Sequence, residues 1–116
     1  MHPSSIVASL VLVAAGCGAA TPPAQDITQA DSSVRAAEEV GAAKIPAAAL
    51  HLKMAKDQIA VAQKLIAGDE MVLAQEALRR ASLDAELAVA LSREDETRRE
   101  AIDVGQQAAA LRTGAP

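Results

Sequence analysis

Three features predict an all-α fold, an antiparallel helical hairpin with a shorter first helix packed on it and a long third helix overhanging. Apolar residues recur at spacings of three and four, alanine is by far the commonest residue, and no Phe, Trp or Tyr occurs in the 116 residues. Alanine with Leu, Glu, Gln, Lys and Arg is strongly helix-favouring, and the three-four alternation gives each helix one apolar stripe. Alanine buries little apolar area and aromatics usually dominate that term, so the core is expected to be thin. Cys17 is the sole cysteine, so no internal disulfide compensates. A slender bundle of marginal stability follows.

The first helix is expected from Asp26, with Asp26 as N-cap and Gln29 three residues on in capping-box spacing. Ile27, Ala30, Val34 and Ala37 form its stripe, and Gly41 is placed to end it. Ala42 to Ile45 is a connector, and Pro46 suits the first turn of a second helix. There the alternation is unbroken: Ile45, Ala48, Leu52, Ala55, Ile59, Ala62 and Ile66, widened by Met54, Val61 and Leu65. Gly68 should stop this helix and Asp69 cap the next. The third carries Met71, Ala74, Leu78, Ala81, Ala85 and Ala88, flanked by Leu73, Ala77, Leu87 and Leu91.

A tight Gly68-Asp69 turn makes helices two and three antiparallel neighbours. Pairing outward from it sets Ala62 near Ala74, Ile59 near Ala77, Ala55 near Ala81 and Leu52 near Asp84. Small residues facing one another allow close helix approach, which offsets missing bulk with contact density. The three-helix domain is therefore expected at residues 26–92, followed at 93–116 by a polar helical extension and a frayed C-terminus. Ser92 to Glu100 has no apolar residue, and Glu94–Arg98 and Asp95–Arg99 stand at i,i+4 in the favourable order. Ala101, Val104, Ala108 and Leu111 resume a faint stripe.

Candidate chemistry is sparse. Asp84 falls on the seam row of the third helix, where a carboxylate needs a partner. The outward pairing offers Lys56 or Lys53, and Arg80 lies one turn away on the same helix; the alternative is that Asp84 points to solvent. His51 reads as a partly exposed helix residue, since a triad or metal site needs further ligands that Ala47 and Ala55 do not supply. In Glu94-Asp95-Glu96 the interleaved arginines neutralise the carboxylates, and a regular helix cannot fold them around one calcium ion. No catalytic residue, cofactor or metal is expected. The net charge is −4, and the chain has neither a basic block nor aromatics among its arginines. Nucleic acid is thereby excluded as a partner; no small-molecule substrate is evident.

The first residues carry the localisation signal. An apolar run of about ten residues, Ile6 to Ala15, is far shorter than the roughly 20 needed to span a bilayer and leads into Ala14-Ala15-Gly16-Cys17. This segment resembles a bacterial lipoprotein signal peptide, in a relaxed form with Ala14 where leucine is usual and no Lys or Arg in Met1 to Ser5. The resemblance implies cleavage after residue 16 and acylation of Cys17. Two or three chains anchor stably where one does not. Residues 17–25 would be the lipidated N-terminus and tether, its ~3.3 Å per residue lifting the domain some 20–25 Å from the lipid. Gly18, where enteric lipoproteins retained in the inner membrane have Asp, implies outer-membrane sorting.

Val34 to Ala42, Ile45-Pro46, Leu50 to Ala55, Gly68-Asp69, Ala74 to Ala77 and Leu83 to Ala88 together resemble small bacterial envelope lipoproteins carrying one Ala-rich helical domain of unknown function. That domain sometimes precedes an outer-membrane-protein-A-like peptidoglycan-binding domain. The resemblance covers roughly residues 26–92 and implies a place and a fold, with no site residues. With Ala115-Pro116 last, neither that further domain nor a peptidoglycan link through a C-terminal Lys is expected. A likeness to tetratricopeptide helix pairs lacks the aromatic positions. The expected function is a lipid-anchored, non-enzymatic envelope module or spacer, its partner an envelope protein or a second copy. A periplasmic carrier or chaperone for lipid or unfolded chains is the alternative.

Overall fold

The computed structural model describes residues 23–114. They are all-α: α1 (Ala24–Glu39), a 3₁₀ turn (Ala42–Lys44), α2 (Pro46–Ala67) and α3 (Met71–Arg112). The signal segment and Cys17 lie outside the described residues.

The α1 N-terminus differs from expectation. Asp26 is not the N-cap; the helix begins at Ala24 after Pro23, whose carbonyl accepts from the Ile27 amide at 3.0 Å. Gln29 does not reach back to a cap, and its Nε2 donates forward to Ser33 Oγ at 3.3 Å. Asp26 instead places an acid in the first turn, where the helix dipole favours negative charge. The C-terminus is as read: α1 ends before Gly41, whose φ of 75° is the left-handed conformation that glycine adopts without a Cβ penalty. Ile45 is extended, as the residue before a proline must be, and Pro46 opens α2.

The α2–α3 turn places its residues one step later than expected. Gly68 closes α2 with φ −88°, and Asp69 takes the left-handed conformation at φ 60°. The Glu70 amide donates to Leu65 O at 2.8 Å and the Asp69 amide to Ile66 O at 3.0 Å. This Schellman pattern requires a left-handed residue just after the cap. Because α2 runs to Ala67, that place falls on Asp69, a residue type that tolerates it. Asp69 is thus not the N-cap of α3, which starts at Met71 after Glu70.

Two buried clusters hold the three helices together. Near the turn, Ala30 of α1 meets Ala62 of α2 and Ala77, Leu78 and Ala81 of α3. Further along, Val34 and Ala37 meet Leu52 and Ala55, with Ala85 and Ala88 completing the layer. Ile59 packs against both. The start of α1 therefore lies at the turn end, and α1 runs parallel to α3 and antiparallel to α2. Leu78 is the largest fully buried side chain; the rest of this seam is mostly alanine. The expected widening is only partial: Ala77 is buried and Leu65 and Leu91 half-buried, but Met54 and Val61 stay 40% and 45% exposed. Leu73 and Leu87 are exposed too, since among the described residues no fourth helix covers that side of the hairpin.

Candidate functional site

Two features stand out from this scaffold: a polar pair between α2 and α3, and the part of α3 that leaves the bundle. Asp84 lies on the α3 flank facing α2, and its Oδ1 is 3.0 Å from His51 Nδ1, with 19% and 26% of the two side chains exposed. The carboxylate accepts, so Nδ1 carries the proton; the contact is a hydrogen bond with neutral imidazole and an ion pair with imidazolium.

The lysine and arginine partners expected for Asp84 are engaged elsewhere. Lys56 reaches Glu38 of α1, Lys53 pairs with Asp57 and Arg80 with Glu76. The physical reason is register. The antiparallel pairing sets Asp84 opposite residue 51, one step from the anticipated Leu52, while Lys53 and Lys56 project from exposed positions on α2. His51 is therefore the partner of Asp84 that sequence reasoning passed over. Its position just before the buried Leu52, level with Asp84, is the signal that could have revealed it.

Buried hydroxyls are satisfied within their own helix: Ser82 donates to Leu78 O at 3.2 Å and Ser92 to Ala88 O at 2.8 Å. Ser92 is the last buried residue of α3. Asp95 is half-buried, and from Glu96 onward every described residue is exposed. Glu96 to Arg112 thus form an arm of about 25 Å at 1.5 Å per residue, leaving from the end opposite the turn. Glu94–Arg98 and Asp95–Arg99 pair along it as expected, so its polar first half is a solvated helix supported by its own ion pairs.

Where the arm leaves the bundle, an open groove of about 470 Å³ is lined by Glu39, Lys44, Asp95 and Arg99 among others, charges of both signs. Among the described residues no helix is long and apolar enough to cross a membrane, and no group of three or more His, Cys, Asp or Glu side chains could hold a metal ion. No family model, curated protein or solved structure matches the chain.

Proposed function

We propose that this chain is a lipid-anchored, non-enzymatic helical module of the bacterial envelope, held at the periplasmic face of the outer membrane through acylated Cys17 and acting through protein–protein contacts or as a spacer. The arm carries the reading. A helical extension, exposed from Glu96 to Arg112 and continuous with a packed helix, carries side chains some 25 Å past the half-buried Asp95 at 1.5 Å per residue. The start of α1 lies at the other end, so a tether leading back to Cys17 directs the arm away from the lipid. Metabolic labelling with palmitate and membrane fractionation of wild type and Cys17→Ser test the anchor. Labelled wild type in the outer-membrane fraction, with unlabelled variant lost from it, is the expected result. Unlabelled wild type, or equal fractionation of both, would overturn it.

A second reading, a periplasmic carrier or chaperone, is favoured by Leu50, Met54, Val61 and Leu73, apolar side chains left exposed on the hairpin. It requires the folded protein to bind a hydrophobic dye such as ANS, and the absence of dye binding would count against it.

A further inference from the structure

α3 carries a second apolar seam, on the side turned away from α1 and α2. Inside the bundle it consists of Leu83, Leu87 and Ala90, all exposed. On the arm it continues as Ala101, Val104, Ala108 and Leu111. Glu94 and Thr97 fill the two intervening places. The spacing alternates four and three without a break from Leu83 to Leu111, four heptads in register, whereas the buried seam of α3 ends at Ser92. A sustained seven-residue repeat is the pattern of a helix that supercoils with a partner. Leu83, Val104 and Leu111 are 65%, 64% and 82% exposed, so the bundle itself makes no use of it.

We propose that the occupant of this seam is the same seam of a second copy, laid antiparallel. Charge decides both partner and orientation. A parallel pairing in register would stack Glu94 on Glu94 and bring Arg93 beside Arg98 of the other chain, both repulsive. Reversing one chain and placing Glu94 opposite Thr97 removes both clashes. In that register Leu83 meets Ala108, Leu87 meets Val104 and Ala90 meets Ala101 on either side of two central Glu94–Thr97 layers, with Leu111 opposite Arg80 at each end, so the layers flanking the centre are apolar and their alanines permit close approach. The same register sets Arg93 beside Glu100 twice, once on each side of the dyad. Neither residue holds an ion pair among the described residues. An open groove of about 400 Å³ between α1 and α3, bordered by Ser32, Ala36, Ala90 and Arg93, flanks the seam on that side.

The pairing rests on the reading of α3 as the interaction element, and it names the partner. It places the two turn ends at opposite ends of a rod, about 70 Å apart at 1.5 Å per residue.

The test is sedimentation velocity of the full chain carrying Cys17→Ser, which removes acyl and thiol contributions. A concentration-dependent dimer below roughly 100 µM is expected for so narrow an interface. Val104→Glu should abolish it with helix content by circular dichroism unchanged, because Val104 is 64% exposed and lies outside both buried clusters of the monomer. Arg93→Glu should weaken the dimer roughly tenfold by setting two carboxylate pairs face to face, and adding Glu100→Arg should restore it. Tightening by Arg93→Glu alone, as the parallel pairing requires, would overturn the proposal. So would a monomer across the whole range. A monomer whose arm crosslinks to a different envelope protein in cells would overturn self-pairing while leaving the anchored module standing.

Discussion

Leu78→Ala is the substitution that tests the packing most severely. Leu78 is 1% exposed, the one large side chain in a seam otherwise built of Ala30, Ala62, Ala77 and Ala81. Removing its side chain beyond Cβ forfeits about 2.4 kcal/mol of transfer free energy at ~0.8 kcal/mol per CH₂. The buried alanines around it have no rotamers with which to reach into the gap, which leaves only the partly buried Ile27, Ile59 and Leu65 at the cluster's edge to relax. A residual cavity of roughly 60 Å³ at about 24 cal/mol per Å³ adds ~1.5 kcal/mol. The sum, about 4 kcal/mol, compares with a total of ~4–10 kcal/mol for about 70 packed residues. Urea denaturation followed at 222 nm should show the variant largely unfolded or its midpoint lowered by about 40% or more. Leu83→Ala, at an exposed position of the same helix, should stay within about 0.5 kcal/mol of wild type. A loss below about 1.5 kcal/mol for Leu78→Ala would refute the claim that this leucine anchors the alanine seam.

Other consequences can be measured by the same denaturation. Asp84→Ala should cost about 1 kcal/mol by leaving His51 Nδ1 without its acceptor, and a loss under roughly 0.3 kcal/mol would make the contact incidental. Gly41→Ala should cost about 1 kcal/mol at φ 75°, while Asp69→Gly should stabilise by a few tenths at φ 60°; opposite signs would contradict the left-handed assignments. Ala55→Leu should cost about 2 kcal/mol or more by forcing α2 away from α3, and a neutral result would show that the helices are not closely apposed.

The fold was legible in the sequence to the extent that burial follows spacing. Ala48, Leu52, Ala55 and Ala62 on α2, and Ala74, Leu78, Ala81, Ala85 and Ala88 on α3, are the buried residues that the three-four alternation selects. Gly41 and Pro46 mark their boundaries because each has a backbone requirement that few residues meet. Asp26 and Asp69 misled for the opposite reason. An acid near a helix start suits an N-cap, a first-turn position and a left-handed turn residue alike, and the choice depends on where the neighbouring helix ends. Met54, Val61, Leu73 and Leu87 share the apolar periodicity of the core, yet remain exposed because three helices enclose only one side of each stripe. Asp84 could be singled out as needing a partner, but His51 over Lys56 was decided by a one-residue register that the turn geometry sets. The outer seam of α3 is hidden by its own regularity, since two apolar stripes on opposite sides of one helix blur into an even distribution.

The central claim is that the anchor at Cys17 delivers the arm of α3 to its partner. Photocrosslinking in intact cells tests it most directly, with a photoreactive residue at Val104 on the arm or at Lys53 on the bundle, each with and without Cys17→Ser. The account predicts a specific adduct from Val104 whose yield falls when Cys17→Ser disperses the chain from the membrane surface, and none from Lys53. Equal adducts from both positions, or no Val104 adduct in wild type, would contradict it.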